Sequence, residues 1–131
     1  MKTRAELDSI SEAVIGAAIA VHRELGAGLL ESAYEACLQY ELESRGFSVR
    51  RQLELPVNYK GVRIDAGFRI DLLVNDCMIV ELKAVEKLER IHEAQTQTYL
   101  KLTGLHVGLL MNFNVLRLTD GLWRIVRDFP D

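Results

Sequence analysis

The chain has 131 residues but only two cysteines, two prolines and one tryptophan. Cys37 and Cys77 form no CxxC pair and no disulfide framework, so a reducing compartment is expected and both thiols are expected in the core. The prolines stand at Pro56 and Pro130, and there is no repeat, low-complexity stretch or Pro/Gly/Ser linker. Residues 1–131 are therefore expected to form a single domain. Long hydrophobic runs are lacking too. The longest early one, Ala13 to Val21, is too short to span a bilayer and lies between Glu12 and His22. No membrane segment or targeting segment is expected, and the reading is a cytoplasmic protein. Excess positive charge is also missing. Sixteen Lys and Arg stand against nineteen Asp and Glu, for a net charge of −3. That balance argues against a nucleic-acid coating protein, so any basic surface has to be local. Aromatics that could stack on bases are sparse: four Phe, four Tyr and one Trp.

What is present is an ordinary globular composition, 49% hydrophobic and 27% charged. A chain of this length can bury a core without staples, which excludes disordered, collagen-like and coiled-coil readings. Residues 5–25 carry Leu7, Ile10, Val14, Ile15, Ala18, Val21 and Leu25 at helical spacing. Gly26-Ala27-Gly28 breaks that helix. A second helix is expected from about Leu29 to Arg45, stopped by Gly46. The period then changes. Phe47 to Leu55 alternates as a half-buried strand does, and Asn58 to Gly61 reads as a turn. Val62 to Val74 is extended, with Gly67 inside it read as a bulge or bend. Asn75-Asp76 is a turn signal, and Cys77 to Val85 is a largely apolar strand.

Residues 86–103 return to helical spacing, with Leu88, Ile91, Gln95, Tyr99 and Leu102 on one face. Leu105 to Met111 reads as a strand buried on both faces. Val115–Thr119 and Leu122–Arg127 read as a hairpin around Asp120-Gly121. The order α-α-β-β-β-α-β-β implies an α/β sandwich, a central mixed β-sheet flanked by helices.

Glu81 and Lys83 do not fit a core. In Ile79-Val-Glu-Leu-Lys-Ala84 they share one face of a strand, about 7 Å apart, while Met78, Val80 and Leu82 take the other. An edge strand with one solvated face would explain them. So would a carboxylate that holds a divalent metal beside a lysine. Asp71 is the nearest second acid. A two-residue turn at Asn75-Asp76 pairs Ile70 with Glu81 and sends Asp71 to the opposite face. A three-residue loop, Asn75 to Cys77, pairs Asp71 with Glu81 directly. Two opposed carboxylates repel unless a cation lies between them. The expectation is the shifted register, with a metal between the acids.

Asp71, nine intervening residues, then Glu81-Leu82-Lys83 resembles the Asp…(Asp/Glu)-x-Lys core of the PD-(D/E)XK nuclease superfamily. Gly28-Leu-Leu-Glu31-Ser-Ala-Tyr34 matches the G-x-x-E-x-x-Y signature of its GxxExxY protein family. Gln95-Thr-Gln-Thr-Tyr99 resembles the Q-x-x-x-Y motif of its exonuclease-like branch. The motifs span Gly28 to Tyr99, in order and on fitting elements. Ile70 replaces the proline of the superfamily name.

The resemblance implies a restriction-endonuclease-like fold and a Mg²⁺-dependent phosphodiesterase acting on nucleic acid, DNA favoured, with Mn²⁺ as a substitute ion. It implies that Asp71, Glu81 and the backbone carbonyl of Leu82 bind the metal and that Lys83 contacts the scissile phosphate or the attacking water. Glu31 is the candidate third acid, with Glu35 its rival, and a helix-start glutamate is the plainer account of Glu31. Tyr34 shares the face of Glu31 and either packs or reaches the site.

Gln95 is a candidate to orient Lys83 or a phosphate, and Tyr99 to bond a carboxylate. His92 falls on the same stripe and is a weaker candidate; His22 and His106 carry no signal. Arg45, Arg50, Arg51, Lys60, Arg63, Arg69, Lys87, Arg90 and Lys101 could receive a nucleic-acid backbone, although solvated surface is their default reading. Two rival readings keep the fold: a catalytically silent binding or scaffolding module, and a hydrolase of small phosphate esters. The sequence is compatible with a homodimer or a protein partner but shows no interface for either.

Overall fold

The structure is a computed structural model and describes residues 2–131. Thr3 starts the first helix by accepting the Glu6 N–H on its hydroxyl at 3.2 Å, which satisfies one of the free donors of a helix N-terminus. Helix α1 (Arg4–Leu25) buries Leu7, Val14, Ala17, Ala18 and Val21 on one stripe. Helix α2 (Glu31–Ser44) buries Tyr34, Glu35, Leu38 and Leu42. Tyr34 also fixes the loop between the two helices. Its hydroxyl donates to the Gly26 carbonyl at 2.6 Å and accepts the Leu29 N–H at 3.1 Å. Its ring stacks on Phe113, 4.6 Å between centroids.

The strands are β1 (Val49–Tyr59), β2 (Val62–Val74), β3 (Met78–Lys83), β4 (Val107–Asn112) and β5 (Leu122–Val126), and helix α3 (Arg90–Thr103) links β3 to β4. They form one five-stranded sheet in sequence order. β3 and β4 are parallel and every other neighbouring pair is antiparallel. The α3 crossover supplies the long connection that parallel neighbours require. α1 and α2 pack on one face over Met78, Val80, Leu82, Leu109 and Met111. α3 packs on the other over Ile70, Ile79, Leu110 and Ile125. This is the α/β sandwich with a central mixed sheet that the sequence implies. No helix among the described residues is long and apolar enough to cross a membrane.

Several expectations need correction. Val115–Thr119 is not a strand, and there is no hairpin around Asp120-Gly121. His22 is buried and its Nε2 donates to the carbonyls of Phe113 and Val115, at 3.2 and 2.8 Å, so this segment is tied to α1. It ends in a short 3-10 helix, Leu118–Gly121. β5 pairs with β4 instead, Leu110 opposite Trp123. Cys37 is exposed, whereas Cys77 is buried as expected. The buried stripe of α2 runs through Tyr34, Leu38, Leu42 and Glu35, and Cys37 lies off its far edge. Ile91 is also outside the core, because α3 buries Thr96, Tyr99 and Leu100. Finally, β3 lies between β2 and β4, so the edge-strand account of Glu81 and Lys83 fails.

Gly67 sits in a real irregularity. The β1–β2 register shifts between Leu55 and Val57, and Gly67 takes φ +77°, a conformation open to glycine. A second irregularity bears on the site. Arg51 faces α2, whereas Leu53 packs on the α3 side. Likewise Leu72 belongs to the α1/α2 side and Ile70 to the α3 side. Both strands change face at the Gln52–Asp71 position, where Gln52 has φ +54°. Left-handed backbone is uncommon outside glycine and marks a locally imposed geometry.

Candidate active site

The loop between β2 and β3 sets the site. Asn75 and Asp76 both take positive φ, 50° and 54°, and the Cys77 N–H donates to the Val74 carbonyl at 3.0 Å. Val74 then pairs with Met78, Leu73 with Ile79 and Leu72 with Val80. The loop is the three-residue one, and the next positions in register are Asp71 and Glu81. There the ladder gives way to side chains. The Asp71 N–H donates to Glu81 Oε1 at 3.0 Å, and the Leu82 N–H donates to Asp71 Oδ2 at 2.9 Å. The two carboxyl groups thus stand in the places that the next ladder hydrogen bonds would take.

Their electrostatics follow from burial. Glu81 is 3% exposed. Burial first, then the Asp71 charge, pushes its carboxyl up to about 9. Asp71 is also raised, by burial above all and further by Glu35, against the lowering effect of its bond from the Leu82 N–H. Paired carboxylates in a poorly solvated place cannot both ionise without a compensating cation. Without such a cation, Glu81, pushed up to about 9, is the acid that keeps its proton.

Lys83 follows on the same face of β3. Its Nζ donates to Gln95 Oε1 at 3.4 Å. Tyr99 lines the same groove as Gln95, and burial, then the nearby Glu81 and Asp71 charges, pushes its phenol up. Tyr99 is thus a protonated donor beside the acids. Lys83, His92, Gln95, Tyr99 and Phe68 line an open groove of about 500 Å³. His92 has a structural task as well. Its Nδ1 accepts the Glu89 N–H at 2.9 Å in the capping box of α3, which leaves the ring proton on Nε2.

From the α2 side, Glu31 and Glu35 reach the site differently. Glu31 Oε1 accepts the Ala84 N–H at 3.0 Å, so it holds the end of β3 just past Lys83. Glu35 is buried, 5% exposed. It accepts Arg51 Nε at 2.8 Å and Gln52 Nε2 at 2.8 and 3.0 Å. The same Gln52 amide donates to Asp71 Oδ1 at 3.3 Å. Gln52 thus links Glu35 to Asp71. Among the described residues no three His, Cys, Asp or Glu side chains gather closely enough to hold a metal ion. The structure brings Asp71, Glu81, Lys83, Gln95 and Tyr99 together, leaves the Leu82 side chain in the core, and keeps Glu31 at the rim.

Tyr34 packs and pins its loop, and does not reach the acids. Sequence reasoning missed Gln52 and Asn112, and ranked Glu35 second. Asn112 is buried, 2% exposed. It clamps the chain after Lys83 through bonds with both the N–H and the carbonyl of Val85, at 3.1 and 2.9 Å. Nothing local in the sequence marks either residue. Only the polar end of the apolar run Leu105–Met111 hints at Asn112.

The donor set suits a divalent cation. Two oxygen-bearing acids face each other beside Lys83 with too little positive charge nearby to ionise both, and hard cations take oxygen ligands. A family model described as the PD-(D/E)XK nuclease superfamily matches residues 8–125. No curated protein and no solved structure matches the chain.

Proposed function

The chain belongs to the PD-(D/E)XK nuclease superfamily, and from that premise we propose that it hydrolyses phosphodiester bonds of nucleic acid at the Asp71–Glu81–Lys83 site. The superfamily generally uses divalent metals. The observation that carries the reading is the Asp71–Glu81 pair. Its side-chain bonds interrupt a strand pairing, and its charge is uncompensated without a cation. Gly28, Glu31 and Tyr34 support the GxxExxY family as the narrower placement, and DNA is the favoured polymer.

Asp71 and Glu81 would hold Mg²⁺, or Mn²⁺ in its place, with the Leu82 carbonyl as a further ligand. Such a cation supplies the charge that makes a nearby water a better nucleophile and offsets charge growing on the phosphate oxygens. The remaining work falls to this chain's side chains. Lys83 brings an ammonium to the phosphate in the groove, where burial strengthens the attraction. Gln95 holds that ammonium in place and leaves it two further donors. Tyr99 lines the groove beside Gln95, close enough to the acids to feel their charge. Glu31 and Asn112 fix the backbone just after Lys83, at Ala84 and Val85, and Gln52 and Glu35 fix Asp71.

The test is a cleavage assay with single-stranded, double-stranded and branched DNA and with RNA, in Mg²⁺ or Mn²⁺. Glu81→Ala and Lys83→Ala should each lose at least about a hundredfold in rate. Wild-type cleavage that survives both substitutions would place the chemistry elsewhere. No wild-type cleavage of any substrate would overturn the reading.

A further inference from the structure

The β1–β2 hairpin runs on past the sheet. β3 pairs with Leu72–Val74 only, so beyond the Gln52–Asp71 position the two strands have just each other. Leu55 is opposite Phe68, Val57 opposite Ile64 and Tyr59 opposite Val62. Directly opposed residues share a face, as do alternate residues along a strand. All six therefore line one side of the arm. It is the α3 side, since Leu53 and Leu55 pack there with Ile70. Towards the tip this face is open: Tyr59 is 57% exposed, Val62 60%, Ile64 42% and Phe68 37%. At its inner end Phe68 forms a wall of the groove that holds Lys83 and Gln95. The apolar face therefore leads into the candidate site.

A contiguous exposed apolar patch of this kind marks a surface with a partner. The charges around it say which kind. Arg63 pairs with Asp65, Arg69 with Glu54, Arg51 with Glu35 and Arg50 with Asp76. The chain as a whole carries −3. A duplex presents phosphates outward and is held mainly by released counterions, which this arm is poorly equipped to exploit. An unpaired strand presents base faces, and aromatic side chains bind those by stacking. Tyr59 and Phe68 offer such rings, and the Lys60 ammonium, 5.4 Å from the Tyr59 ring centroid, is in none of the arm's ion pairs among the described residues.

We propose that the apolar face of the β1–β2 arm docks an unpaired polynucleotide strand, whose bases stack on Tyr59 and Phe68 while its backbone enters the groove at Lys83. The cutting of that strand rests on the nuclease reading; the docking does not.

The test measures fluorescence anisotropy of a labelled oligo-dT of about 20 nucleotides, and of a duplex of equal length, with the Glu81→Gln protein in Mg²⁺ so that neither is consumed. The single strand should bind at least about tenfold tighter than the duplex. Tyr59→Ser/Val62→Ser, both at exposed positions, should lose about tenfold of that binding and keep the circular dichroism and melting of its parent. Equal binding of both nucleic acids, no binding of either, or a double variant that binds as its parent does would overturn the proposal. So would a dimer in sedimentation that the double variant dissolves without any change in binding, because a second copy would then be the occupant. Cleavage by the wild-type protein separates the two readings. A strand that is bound through the arm but never cut removes the nuclease reading alone. Cutting that Tyr59→Ser/Val62→Ser leaves undiminished removes the arm alone.

Discussion

Glu81 gives the sharpest residue-level consequence. Its ordinary value is 4.5, and in the folded chain burial and Asp71 push it up to about 9. Between those values the folded protein keeps a proton that the unfolded chain has released. The native state then binds more protons than the unfolded one, so stability falls as pH rises. This contribution is fully present below the unfolded value and is lost on the way to the folded one. Without divalent cation, the wild type should lose at least about 1 kcal/mol between about pH 5 and about pH 8. Glu81→Gln, which carries no titrating group there, should show a flatter profile and melt higher than wild type at about pH 8. Denaturant melts across that range decide it, and parallel profiles for the two proteins would refute the assignment. Gln52 is the second residue to probe. Gln52→Gly relieves the +54° φ but deletes the amide between Glu35 and Asp71, whereas Gln52→Ala deletes the amide and keeps the strain. Both should lose about tenfold or more in cleavage, with Gln52→Gly the more stable of the two in melts. Equal stability would mean that the backbone there stores no strain.

At the scale of elements, the position of α3 against β4 controls the groove. A Cβ added to Gly108 would lie 2.7 Å from the Thr96 Cγ2, closer than two carbons can pack. Gly108→Ala should therefore lift α3, and with it Gln95 and Tyr99, away from Lys83, at a cost of about 1–3 kcal/mol. Thr96→Ser removes the offending methyl, so Gly108→Ala/Thr96→Ser should recover much of the stability and the cleavage rate. A double variant no better than Gly108→Ala would show that the contact is not what limits packing. Elements were also where the sequence was most readable, since helices and strands are set by local period. The Asn75–Cys77 loop illustrates this: strand parity narrowed the register to two, and the expectation of a cation between the acids selected the three-residue loop that the structure shows. The segment 115–121 was unreadable because a buried His22, about ninety residues away in the chain, decides where its carbonyls go. The third acid was unreadable for a similar reason. Whether Glu31 or Glu35 approaches Asp71 depends on a left-handed Gln52 in another strand, and no periodicity reports that.

At the scale of the whole molecule, protons and divalent cations compete for one pair of carboxylates that joins β2 to β3. A ligand that binds only the folded state raises its stability by mass action. Binding to ionised carboxylates requires Glu81 to release its proton, so affinity should grow with pH. Mg²⁺ or Mn²⁺ should then raise the melting temperature of the wild type, and by more at about pH 8 than at about pH 6. The cation should thereby offset the alkaline loss of stability that the metal-free protein shows. Glu81→Ala and Asp71→Ala should lose this response while still melting cooperatively, since the apolar layers on both faces of the sheet do not depend on the acids. Glu31→Ala separates two roles for the rim residue. If Glu31 only braces Ala84, the variant should melt lower but keep the full increment on adding cation. If it is a ligand, the increment itself should shrink. The first outcome is expected, because its carboxylate is already taken by the Ala84 N–H. A thermal-shift series over cation concentration and pH reads all four proteins. An increment that is insensitive to pH, or one that Glu81→Ala retains, would locate the cation away from the Asp71–Glu81 pair.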